Sequence, residues 1–170
     1  MPDTLKRVWL VSACLLGHSC RYDGGTASPA AQRNLLPIVG DTLIPVCPEM
    51  LGGLPAPRVP AHVEAGTGDD VLDGRGVVRN QEGLDISAYF IAGAQKARDI
   101  GRNTGATHAC LKARSPSCGV GQIHGPDGLI TGDGVAAAEL KRVGLQVCSD
   151  ESLATFLTRE PTLPKSTREN

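Results

Sequence analysis

Short apolar stretches recur along the chain, separated by helical patterns and by glycine- and proline-rich segments. Arg7 to Ala13 (RVWLVSA) is continuous and rich in β-formers, so it reads as a buried strand. Thr42 to Val46 (TLIPV) reads as a second strand. Its Pro45 lacks a ladder donor, which predicts a short or edge position. Thr107 to Lys112 (THACLK) and Leu145 to Cys148 (LQVC) are the third and fourth. Ser28 followed by Pro29 is an N-cap with proline in the first turn. It opens a helix expected to reach about Val39 and stop at Gly40. Asp85 caps a second helix, in which Ile86, Phe90, Ala94, Ala97 and Ile100 share one face. Val135 to Val143 forms a short helix closed by Gly144, and Ser149 or Asp150 caps a last one ending near Leu157.

The segments between are turn-rich. Cys47 to Pro60 (CPEMLGGLPAPRVP) is expected to be a stiff shaped loop, neither helix nor ladder. Val71 to Arg79 resembles a small hairpin around Asp73-Gly74. Ala113 to Gly134 is loop-rich, with a turn at Gly125 to Gly128. Strands alternating with helices predict an α/β fold: a single layered domain with a mainly parallel central sheet flanked by helices. Residues 1–159 make up that domain, and residues 160–170, without periodicity, are expected to be a flexible tail.

A formal net charge of -1 in 170 residues argues against nucleic acid or an anionic membrane as partner. Aromatics at 3% also argue against base-stacking platforms. The six cysteines raise the question of compartment. Val11-Ser12-Ala13-Cys14 mimics a lipoprotein cleavage box, but the apolar run before it is too short for a signal core of roughly 7–15 residues. No stretch approaches the ~18 apolar residues of a membrane span. A cytoplasmic location follows as the expectation, with cysteines that are free, metal-binding or catalytic.

Position then separates the cysteines. Cys14 follows the first predicted strand, Cys47 the second, and Cys118 lies in the loop after the third. In open parallel sheets, ligands bind outside the carboxyl ends of the strands. Two readings of this convergence stand: a three-thiol metal site, or unconnected structural thiols. Three thiolates fall short of a closed zinc site but suit a 4Fe–4S cluster with one iron left open. Cys110 and Cys148 lie within apolar strands and read as core residues. Cys20 shares the first loop with Cys14 and reads as a bystander, a fourth ligand or a redox partner.

At these residues the chain resembles the thiouracil desulfurase family. The matching pieces are Ser12-Ala13-Cys14-Leu15-Leu16-Gly17, Cys20-Arg21-Tyr22-Asp23-Gly24, Cys47-Pro48-Glu49 and Gly52-Gly53-Leu54-Pro55. They continue through Pro57-Arg58, Gly93-Ala94, Ser115-Pro116-Ser117-Cys118-Gly119 and Gly132-Asp133-Gly134. The resemblance spans Val8 to Ser149. It departs at His62, where a carboxylate is expected. It implies a 4Fe–4S cluster on Cys14, Cys47 and Cys118, an open fourth iron, and non-redox removal of sulfur. It also implies that Glu49 is the acid/base residue and Ser115 an active-site serine. The expected substrate is a small thiopyrimidine such as 2-thiouracil, converted to the oxo-pyrimidine and hydrosulfide.

Other residues admit a functional and a structural role. Glu49 is a base for the attacking water, or a surface carboxylate paired with Arg58. Arg21, Asp23, Arg58 and Ser117 hold the pyrimidine, or bridge loops. Competing functions are desulfuration of a thiolated nucleoside or tRNA, and a non-enzymatic zinc- or sulfur-binding module.

Overall fold

The computed structural model describes residues 6–160. In chain order its strands are β1 (Val8–Ser12), β2 (Thr42–Val46), β3 (Ala61–Ala65), β4 (Val77–Asn80), β5 (His108–Leu111), β6 (Gln122–Gly125), β7 (Gly128–Thr131) and β8 (Gln146–Ser149). The helices are α1 (Pro29–Arg33), α2 (Pro48–Leu51), α3 (Gly68–Leu72), α4 (Ser87–Thr104), α5 (Val135–Arg142) and α6 (Leu153–Arg159). The central sheet has the order β2-β1-β5-β8 and is parallel throughout. As Pro45 foretold, β2 is an edge strand. Two antiparallel hairpins, β3-β4 and β6-β7, stand apart from it.

Alternation along β1 builds a core on each face of the sheet. Trp9 and Val11 pack on one side with Cys110, Cys148, Leu35, Ile38 and, from α6, Leu153 and Phe156. Leu10 packs on the other with Ala109, Leu111 and the α5 residues Ala137 and Leu140. A third core joins the hairpin strands to Phe90, Ala94 and Val135. Trp9 keeps its indole N–H satisfied by donating to Asp41 at 2.8 Å.

Three sequence expectations are corrected. The first helix ends at Arg33 instead of Val39, and a 3₁₀ turn at Leu36–Ile38 follows it. Pro37 has no N–H to continue an α-helical ladder. Val71 to Arg79 is not a hairpin. Thr67 and Asp70 form a capping box that starts α3, and β4 pairs with the earlier β3. Pro48–Leu51 is a single helical turn in the segment expected to hold none, with proline placed where its missing N–H costs nothing.

Glu160 was expected to begin the tail. It accepts from Arg7 Nη1 at 2.7 Å and contacts His108 Nε2. Residues 161–170 lie outside the described residues. Among the described residues no helix is long and apolar enough to cross a membrane.

Candidate active site

The carboxyl ends of β1, β2 and β5 share one edge of the sheet, and the loops leaving them carry the cysteines. Cys14 sits in a 3₁₀ turn directly after β1, closed by Gly17 at φ +88°. Cys47 follows β2 and is the N-cap residue of α2. Cys118 lies in the turn that leaves β5. All three line one cavity of about 390 Å³, together with Glu49, Ser115, Ser117, Arg21 and Arg58. That volume falls in the range of small-molecule sites.

Each thiol is fixed by backbone. α2 presses on α4 so tightly that a Cβ at Gly93 would lie 1.8 Å from the Pro48 carbonyl oxygen, and one at Gly52 would lie 1.9 Å from that of Tyr89. Only glycine permits that approach, which anchors the turn bearing Cys47 and Glu49. The Ser115–Cys118 turn is held by the start of α5. The Val135 amide donates to the Pro116 carbonyl at 3.1 Å, and the Ala136 amide to that of Ser117 at 2.9 Å. Ser115 Oγ closes the turn by accepting from the amides of Ser117 and Cys118, at 3.2 and 3.1 Å.

Glu49 is gripped from two sides. Ser117 donates its hydroxyl to Oε2 at 3.0 Å, and Arg58 Nε donates to Oε1 at 3.3 Å. The carboxylate side chain is 16% exposed and the guanidinium 7%. So the expected pair with Arg58 exists, yet it lies inside the cavity and not on the surface. Arg58 Nη1 also donates to the carbonyls of Cys20 and Pro55, at 2.9 and 3.0 Å. Ser115 and Ser117 hydroxyls stand 3.0 Å apart, which links Ser115 to Glu49 through Ser117. Asp23, expected at the substrate, does not line the cavity. Its Oδ1 accepts from the Gly25 amide at 2.9 Å, a local turn contact.

Two of these thiols, Cys118 and Cys47, are held well above the ordinary thiol range. Burial pushes Cys118 up to about 12, against the pull of the Ser12 and Ser117 hydroxyls. Contact with Cys20, then burial, drives Cys47 far above the ordinary thiol range. Iron must therefore displace protons here. Among the described residues, no three His, Cys, Asp or Glu side chains are gathered to hold a single metal ion. A cluster instead offers a separate iron to each of three thiolates, and three soft donors from three loops in one cavity fit that demand.

A profile of the 2-thiouracil desulfurase family matches residues 9–152. The chain belongs to the 2-thiouracil desulfurase family. Among its relatives is the uncharacterized protein YbbK of Bacillus subtilis (strain 168), 40% identical over 151 residues, spanning 87% of this chain and 99% of the relative. Among solved structures, the 4Fe–4S-dependent thiouracil desulfidase TudS is 36% identical with a TM-score of 0.72, covering 90% of this chain and 97% of that one.

Within this desulfurase site, sequence reasoning missed Ser12, Tyr22 and the standing of Cys20. Ser12 is 2% exposed, accepts from the Lys112 amide at 2.8 Å and lines the cavity with Cys118. Tyr22 is the cavity's one aromatic apart from histidine rings, and Arg21 lies over it at 5.8 Å. Cys20, for which bystander, fourth ligand and redox partner were all open, is 6% exposed and lines the cavity beside Cys14 and Cys47. Its nearness to Cys14 in sequence was the available signal.

Proposed function

We propose that this chain removes sulfur from a thiolated pyrimidine such as 2-thiouracil, releasing the oxo-pyrimidine and hydrosulfide, with a 4Fe–4S cluster held by Cys14, Cys47 and Cys118. The observation that carries this is the meeting of three thiols from three strand ends in one cavity with a clamped carboxylate. Membership of the desulfurase family and likeness to TudS support it. When bound, the cluster supplies a Lewis-acidic iron matched to the soft sulfur of a thiocarbonyl.

The chain's own residues do the rest. The reaction exchanges C=S and water for C=O and hydrosulfide, so a proton must leave the water and be delivered elsewhere. Glu49 takes that proton and returns it to ring nitrogen or departing sulfur. Ser117 and Arg58 each occupy one of its oxygens, which aims the carboxylate. These two residues thus act through Glu49 and not on the pyrimidine. Ser115 accepts two amides and donates its hydroxyl proton to Ser117, whose own proton goes to Glu49, so it belongs to the relay that aims the carboxylate. Arg21 and Lys112 place positive charge along the wall, offsetting the anionic product. The partner is a small molecule, and neither membrane nor nucleic acid is required. All six cysteines are free thiols, which suits a reducing cytoplasm.

Anaerobic reconstitution followed by a sulfide-release assay tests the reading. The expected result is a brown protein with about four irons per chain that liberates sulfide from 2-thiouracil. A chain that takes up no iron, or an iron-loaded one that releases sulfide from no thiopyrimidine, overturns it.

A further inference from the structure

Three of the four parallel strands lead into loops that bring a thiol to the cavity. The fourth, β8, leads into a carboxyl group. Its ladder with β5 ends at the pair Leu111 and Ser149. The next residue, Asp150, is 2% exposed and does not itself line the cavity. Ser149 caps the 3₁₀ turn that follows, and the Asp150 side chain reaches back to the sheet edge. Its Oδ1 accepts from the buried Ala113 amide at 2.9 Å, and its Oδ2 from Asn34 Nδ2 at 3.2 Å. One carboxyl group thus joins the end of β8, the exit of β5 and the C-cap of α1. The exit of β5 is held at every step. The Lys112 amide donates to Ser12 Oγ at 2.8 Å, Ala113 donates to Asp150, and the Arg114 carbonyl accepts from the His124 amide at 3.1 Å. Arg114, whose guanidinium pairs with Glu151, is the one residue other than glycine with positive φ among the described residues, at +68°.

We propose that Asp150 is a positioning residue for the reaction: its carboxyl group fixes the exit of β5, and through it the Ser115–Cys118 turn that aims Glu49. This rests on the desulfurase reading given above. Past Ser149 the backbone of β8 no longer pairs with β5, and a side-chain oxygen takes the place of a ladder carbonyl for one more step. That step falls directly before Arg114. The left-handed backbone there turns the chain out of the strand direction, a conformation uncommon for any residue but glycine. Such a turn persists only where its surroundings hold it. The relay from Ser115 through Ser117 to Glu49 begins at the very next residue. Burying a carboxyl group is costly unless its oxygens are paired, and here both are. An apolar side chain at this position would avoid that cost and leave the Ala113 amide without a partner. The carboxyl group therefore sets a direction that packing alone would leave open, and it acts through the turn without touching the cavity.

Wild type, Asp150→Ala, Asp150→Asn, Ser117→Ala and the Asp150→Ala/Ser117→Ala double variant, all reconstituted anaerobically, distinguish the outcomes. Asp150→Ala is expected to keep the iron content and KM of wild type and to lose about tenfold in kcat, the equivalent of losing a hydrogen bond to a charged group. Asp150→Asn recovers most of that loss, because asparagine keeps an oxygen for the Ala113 amide and Asn34 can turn its own amide oxygen to the new NH₂ group. The double variant is no slower than the slower single variant, since both changes act on one relay. Amide hydrogen exchange on iron-free chains is expected to lose protection at Ala113 and Cys118 in Asp150→Ala, while β1 keeps its own. Unchanged kcat in Asp150→Ala, a raised KM with kcat intact, or losses that multiply in the double variant would overturn the proposal and leave the reaction standing. Iron lost along with kcat would place the effect on Cys118 instead of Glu49 and overturn it as well. So would protection lost throughout the chain in Asp150→Asn, which would make Asp150 a residue of the fold alone. A wild type that binds no iron or releases no sulfide removes the reaction itself, and the role of Asp150 with it.

Discussion

Cysteines occupy two regions of this molecule, a few residues apart, with opposite consequences. Cys110 and Cys148 lie inside β5 and β8, paired across the ladder, at 0% and 1% exposure. They touch each other, and that contact and burial hold the Cys110 thiol far above its ordinary pKa. Cys14, Cys47 and Cys118 lie just beyond strand ends and face a cavity. Side chains within a strand are committed to the faces of the sheet, where the cores already enclose them. Past the strand end the backbone turns, and a thiol there aims along the strand direction into the crevice. The difference teaches that place relative to the strand end, and not burial, separates cavity-lining from core thiols here. Cys118, at 5% exposure, is nearly as buried as the core pair.

Substitutions can break or sharpen that contrast. The largest effect is expected from Cys118→Ser. Iron content and sulfide release should both drop to background, while circular dichroism keeps the wild-type fold. Retained iron would place the third ligand elsewhere. Next is Glu49→Gln, which should keep its iron and lose roughly 10²–10⁴-fold in kcat, the span of general acid–base catalysis. Steady-state kinetics on iron-matched samples would expose a smaller role. Ser117→Ala removes one of the two donors on Glu49. A fall of about tenfold in kcat is expected, the equivalent of losing a hydrogen bond to a charged group. Unchanged turnover would mean that Arg58 alone suffices to hold the carboxylate. The smallest effect belongs to the core pair. Cys110→Ala should lose about 1 kcal/mol in urea unfolding and no iron at all. A loss of iron there would join the two regions and end the contrast.

Much of the fold was legible in advance because strand and helix signals were strong where the pattern was strong. The β1, β2, β5 and β8 runs, the edge position of Pro45 and the stop of α5 near Gly144 all follow from local rules. The failures have a common cause. Pro37, the Thr67–Asp70 box and the single turn after Cys47 are effects of one or two residues, weaker than the window that a periodic pattern averages over. Likewise β3 and β4 pair across an inserted α3, a pairing that neighbouring residues cannot encode.

The site divides along the same line. Residue order alone placed three cysteines after three strands, because parallel α/β topology sends successive strand ends to one edge. Order also put Glu49 two residues from Cys47. It could not show that Ser117 and Arg58 both hold Glu49, that Asp23 turns back into its own loop, or that Cys20 lines the same cavity as Cys14 and Cys47. Those facts depend on loops packed by contacts distant in sequence: Gly52 against α4, and the Ser117 turn against α5. Topology is a property of the chain's order, whereas the direction of a side chain in a loop is settled only when other parts of the chain close around it.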